Sequence, residues 1–158
     1  MYEEIKVIMR SLFKQSVLSP SKKGFYIEYI IHTYLSNIYK ICYNEKEIKK
    51  KYGLHVSGID HLFHLNNHII SIQTKFHTKK IGLKDSNHFI KCCYDIYDTE
   101  NTPMVCIMLS KHGITKNSKC SFQSENNKTN NLTFTTICGL NALNMINRLN
   151  RFLFKYKI

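Results

Sequence analysis

Acid is scarce in this chain: 11 aspartates and glutamates stand against 23 lysines and arginines, a formal net charge of +12. So one-sided a balance points to a polyanionic partner, either nucleic acid or an anionic membrane surface. Long apolar runs are also missing, which excludes a membrane span. The N-terminus, MYEEIKVIMR, carries acids where a secretory leader carries bases. The expectation is an intracellular protein, in cytoplasm or nucleus, and the Asn127-Lys128-Thr129 and Asn131-Leu132-Thr133 sequons then carry no glycan. No Cys-x-x-Cys pair occurs among the cysteines at 42, 92, 93, 106, 120 and 138. Adjacent Cys92 and Cys93 suit neither a zinc site nor a disulfide framework, so these read as reduced thiols, several of them in the core. There is no internal repeat.

What is present fits one domain over 1–158, since 158 residues at 43% hydrophobic content suffice for a single core. Residues 2–18 predict an amphipathic helix, with Ile5, Ile8, Met9 and Leu12 at helical spacing. Ser19-Pro20 breaks it and starts another, running to about Lys40 with the stripe Ile27, Ile30, Ile31, Tyr34, Leu35 and Ile38. At 100° per residue, Glu28 falls at the edge of that stripe. The charged stretch 44–52 reads as a solvated helix end or turn. A hairpin follows: His61–Leu65, a turn at Asn66-Asn67, and His68–Phe76. A helix over 86–97, capped by Asp85 or Ser86, precedes an apolar strand over 104–109. Residues 111–131 are polar and predict a mobile loop; a strand over 132–137 and a helix from Gly139 to about Lys155 complete the chain. A helix between strands implies a crossover, hence an α/β fold with a mixed sheet flanked by helices.

The chemistry gathers on the hairpin. Side chains alternate along a strand, so Gln73 and Lys75 share a face. A turn at 66-67 pairs residues whose numbers sum to about 133, which sets Asp60 opposite Gln73. An acid, an amide oxygen and a lysine are thus brought to one end of two apolar strands. Phosphodiester hydrolysis needs a hard cation and an oriented water. Mg²⁺ takes oxygen ligands and keeps waters, so Asp60, the Gln73 carbonyl and the backbone carbonyl of Thr74 suffice as ligands, with Mn²⁺ as a substitute. Glu28 offers a second carboxylate, directly or through water. Lys75 is placed to orient or deprotonate the water, or to stabilise charge on phosphorus. The plainer readings are that Asp60 caps the Gly58 turn, that Gln73 and Lys75 point outward from an edge strand, and that Glu28 is a solvated helical acid.

The segment Gly58-Ile59-Asp60, followed thirteen residues later by Gln73-Thr74-Lys75, resembles the PD-(D/E)XK nuclease signature in the Q-x-K form of Mrr-like restriction endonucleases. The resemblance covers roughly residues 20–110 and includes the order of elements. It implies a restriction-endonuclease-like αβββαβ core, with Asp60 as central metal ligand, Gln73 in place of the usual acid and Lys75 as catalytic lysine. The sequence departs from the pattern in having Ile59 where a proline usually stands and in lacking a charge at Gln73.

The implied activity is a metal-dependent endodeoxyribonuclease acting on double-stranded or branched DNA, in restriction, repair or junction resolution. The competing reading is a catalytically inactive nuclease fold kept for nucleic-acid binding or assembly. A peripheral membrane role has only the last helix in its favour. Of the basic segments, Lys75 to Lys84 follows the catalytic lysine directly, and His77, Lys79, Lys80 and Lys84 are the expected DNA contacts. No tyrosine pattern suitable for base stacking is legible. His61, His64 and His68 invite a zinc reading, but an odd spacing sends His61 and His64 to opposite faces. Cutting both strands calls for two copies or two encounters; the last helix's stripe serves a homodimer no better than it serves the core.

Overall fold

Ser19 and Pro20 open helix α1, Pro20–Ile38: the Ser19 hydroxyl accepts from the Lys22 N–H, and proline occupies the first helical position, where an N–H has no partner anyway. The computed structural model describes residues 19–156, so the helix expected over 2–18 lies outside the described residues. Helix α1 buries Ile27, Ile30, Ile31, Tyr34 and Leu35, while Ile38 stays at the surface. Tyr39, just past the helix, turns inward instead and stacks on Phe63 at 4.1 Å between ring centroids.

Two further elements occupy 42–52. Strand β1 is Cys42–Asn44 and helix α2 is Glu45–Tyr52. Asn44 and Glu47 close a capping box, each side chain accepting from the other's backbone N–H. Ile48 is fully buried, so this is a packed element rather than a solvated turn. Strands β2, His61–Leu65, and β3, His68–Lys75, form the expected hairpin in the expected register, with His61 across from Ile72. Asn66 takes φ of 51° in the turn, and its side-chain amide donates to the Tyr156 carbonyl at 2.9 Å.

Helix α3, Leu83–Glu100, is longer than expected. Its N-cap is Gly82, with no side chain capping it; Asp85 and Ser86 lie inside the first turns, Asp85 where the helix dipole favours an acid. Strand β4, Met104–Ser110, is buried along its whole length. The expected polar loop over 111–131 is a misreading: Lys116–Lys128 forms helix α4. The Thr115 hydroxyl caps it, and only Ser118 and Phe122 are buried, so it presents no apolar stripe to read. Strand β5 is Leu132–Cys138, and helix α5 is Ala142–Leu153, followed by a 3-10 turn, Phe154–Tyr156. Helix α5 starts later than Gly139 because the Asn141 side chain caps it, accepting from the Asn144 N–H.

The strands form one sheet in the order β1-β2-β3-β4-β5, antiparallel through β3 and parallel from β3 to β5. Helices α3 and α4 are the crossovers that parallel neighbours require. Alternation along the strands sends Phe63, Ile70, Ile72 and Ile107 to one core with α1 and α5, and Leu62, Ile69, Cys106 and Met108 to another with α2, α3 and α4. The fold is thus α/β, an open mixed sheet flanked by helices. Cys92, Cys93 and Cys106 are packed in the second core. On the outer edge of β5, Asn126 from α4 bonds both backbone groups of Phe134: its amide donates to the carbonyl at 3.0 Å and its Oδ1 accepts from the N–H at 2.7 Å. Among the described residues, no helix is long and apolar enough to cross a membrane.

Candidate active site

Where β2 begins and β3 ends, a cleft of about 510 Å³ opens at the end of the sheet, lined by Glu28, Asp60, Gln73, Thr74, Lys75 and His77 among others. Asp60 arrives by extension of the hairpin: its N–H donates to the Ile72 carbonyl at 2.8 Å, just beyond the His61–Ile72 pair, and its carboxylate accepts from the Thr74 N–H, next to Gln73. Gly58 threads the chain in beneath helix α3, so closely that a Cβ there would lie 2.9 Å from the His88 ring. Helix α1 brings Glu28 to the cleft because Ile27 and Ile31 on its neighbouring stripe are locked in the core.

Asp60 is buried, and burial, reinforced by the nearby Glu28 and Glu45 carboxylates, pushes its pKa up to about 7. The Thr74 N–H, 2.5 Å from Asp60 Oδ2, and Lys75 pull the other way without prevailing. Glu28 is likewise raised, first by burial and then by Glu45, with Lys75 opposing. Gln73 is only 4% exposed, yet its Oε1 has no hydrogen-bond partner, and Thr74 Oγ1 is orphaned beside it. An unpaired buried oxygen of this kind costs about 1–3 kcal/mol, so a fold keeps it only for a reason. Lys75 Nζ rests 3.7 Å from Asp85 Oδ1, at the start of α3.

The carboxylates of Glu28, Glu45 and Asp60 and the amide of Gln73 therefore line one hollow together with Lys75, an arrangement that fits a hard cation with oxygen ligands and water. Among the described residues, no trio of His, Cys, Asp or Glu side chains is already closed around one point. The acceptor set depends on Gln73 and leaves positions for water.

Of the expected DNA contacts, His77 lines the cleft, whereas Lys79, Lys80 and Lys84 are exposed outside it and pair with no acid among the described residues. Glu45, the first residue of α2, also lines the cleft and was missed; it is ion-paired to Lys49 at 2.6 Å. The Asn44–Glu47 capping signature marks it as a first-turn residue, but nothing local brings it to Asp60. Histidines 61, 64 and 68 form no common site: His61 is buried and stacks on His32 at 5.5 Å, His64 is exposed, and His68 packs against Tyr156. Burial holds the His61 ring neutral, its pKa down to about 3, and neither ring nitrogen has a partner.

No known protein family matches the sequence, and no curated protein does. Among solved structures, a protein of unknown function, AF1548, is similar with a TM-score of 0.39 and 16% identity, over 49% of this chain and 40% of that one. The match thus spans two fifths of that protein's length and carries nothing about activity.

Proposed function

We propose that the protein is a divalent-metal-dependent endodeoxyribonuclease of the PD-(D/E)XK type. The observation that supports this most is the unpaired, buried Gln73 Oε1 in the same cleft as the Asp60 and Glu28 carboxylates and the Lys75 ammonium. The order of elements is consistent with an αβββαβ core: α1, three antiparallel strands, α3, then parallel β4, with α2 as a short insertion between β1 and β2.

In this reading Asp60, Gln73 Oε1 and the Thr74 carbonyl hold Mg²⁺ or Mn²⁺, and Glu28 contributes directly or through water. The bound ion would polarise the scissile phosphate and stabilise the leaving oxygen. Lys75 would orient the attacking water; as a neutral amine, its own proton first given up to solvent, it would take the water's proton, and as an ammonium it would neutralise charge on phosphorus. Its contact with Asp85 is long for a direct bond and partly solvated, so the ammonium is free to turn towards substrate. The excess of basic residues supplies the non-specific hold on DNA, with His77 at the cleft and Lys79, Lys80 and Lys84 beyond it.

The test is cleavage of supercoiled and branched DNA with Mg²⁺ or Mn²⁺ by the wild type, Asp60→Ala and Lys75→Ala. Nicking by the wild type only, abolished by EDTA, is the expected result. No cleavage under any metal, with tight salt-sensitive binding, would replace the proposal with that of a nuclease fold retained for binding.

A further inference from the structure

Phe25 and Tyr29 are 64% and 55% exposed, one turn apart on α1. Single exposed aromatics are ordinary on protein surfaces. Phe25 differs by its position, because it lines the same cleft as Glu28 and Asp60. Among the described residues the fold leaves this ring largely bare. Tyr26 braces it edge-on, with centroids 5.9 Å apart and planes at 68°. The cleft carries a second ring, Phe76, with Lys111 Nζ 5.4 Å from its centroid. Exposed Lys22 precedes Phe25 on the helix. Flat apolar rings among cations that face phosphate are what an unstacked nucleobase needs. In continuous duplex every base face is already covered by its neighbour, so such a ring would find nothing to hold.

We infer that Phe25 is a stacking platform for a nucleobase left unpaired at a flap, gap or branch, which makes branched or partly single-stranded DNA, rather than continuous duplex, the substrate class of this cleft. The inference rests on the nuclease reading only in placing DNA in the cleft. Phe25 acts as a binding and specificity residue and takes no part in bond breaking.

The experiment is equilibrium binding in EDTA, where no cleavage intrudes, of the full chain to a flap DNA with 2-aminopurine at the unpaired position and to a matched duplex. Wild type, Phe25→Ala and Phe25→Trp are compared, with melting curves confirming that all three are folded. Phe25→Ala is expected to weaken flap binding about 5- to 150-fold, the range one base–aromatic stack is worth, and duplex binding less than about twofold. Phe25→Trp should keep both the affinity and the 2-aminopurine signal change. Equal losses on flap and duplex, or no loss on either, would overturn the inference. So would a change in self-association with DNA binding unmoved, which would assign the ring to a contact between copies. Flap preference that depends on Phe25 in a protein that never cleaves would sink the nuclease reading and leave the platform standing. Cleavage with no role for Phe25 would do the reverse.

Discussion

The two ends of the β2–β3 hairpin are made of the same strands and have opposite characters. At the turn, Asn66 adopts its positive φ and its amide is bonded to the Tyr156 carbonyl, and the His68 ring lies against Tyr156. At the other end, Asp60, His61, Gln73 and Thr74 are wholly or partly buried with raised or lowered pKa values or unpaired atoms. The apolar middle, Leu62, Phe63, Ile70 and Ile72, is common to both and holds them rigid. The closed end finds its partners within the chain. The open end is tolerated at some cost to stability because something outside the chain is expected to complete it.

The comparison is broken most severely at Asp60. Asp60→Ala should lower DNA cleavage by three orders of magnitude or more while leaving the melting temperature in EDTA unchanged or higher, as gel-based nicking rates and calorimetry will show. If the variant unfolds, the carboxylate is a structural cap and the site is misplaced.

Next comes pH. The folded pKa of Asp60, about 7, lies above the ordinary aspartate value of 3.8. The native state therefore binds this proton more tightly, and the stabilisation is complete below about pH 4 and lost as pH rises through 7. His61, at about 3 in the fold against 6.5, acts in the opposite sense: its contribution is complete above about 6.5 and lost as pH falls through 3. The two slopes oppose each other in the wild type, so the measurement is a difference. In metal-free urea denaturation, Asp60→Asn should gain on the wild type as pH rises from 4 to 8, by on the order of 4 kcal/mol at most. A constant difference across that range would show that Asp60 is not held protonated.

At the closed end, Asn66→Val forces a β-branched residue into a left-handed conformation and removes the bond to Tyr156. It should lower stability by about 1–3 kcal/mol and leave cleavage by the folded protein unchanged. The smallest effect is at Gln73. Gln73→Met removes the unpaired amide oxygen, so metal-free stability should hold or rise by about 1 kcal/mol, while any protection by Mg²⁺ against thermal unfolding should be lost. Retained Mg²⁺ protection would remove Gln73 from the ligand set.

The hairpin was legible because its information is local: alternating apolar residues, an Asn-Asn turn and a register that follows by arithmetic. Glu28 was legible from the helical stripe beside it. Glu45 was not, because it reaches the cleft only through the packing of α2 on the sheet. Strand β1 has three residues and no pattern of its own. Helix α4 was lost to its composition, since with Ser118 and Phe122 alone buried its stability comes from Thr115 and from docking against α3 and β5 rather than from an amphipathic face. Phe25 was visible as a residue, but its exposure is a property of the folded surface.

The Asn126 amide on β5 has a bearing on assembly. A parallel sheet that ends in a bare strand offers a template to any other strand, including that of a sister molecule. Here a single side chain imitates the missing neighbour at Phe134, giving one donor and one acceptor to the backbone groups that would otherwise recruit it. The sheet cannot be lengthened along that edge without first evicting Asn126. Strand addition at β5, by a sister molecule or any other chain, must therefore compete with a bond pair that the protein already makes to itself.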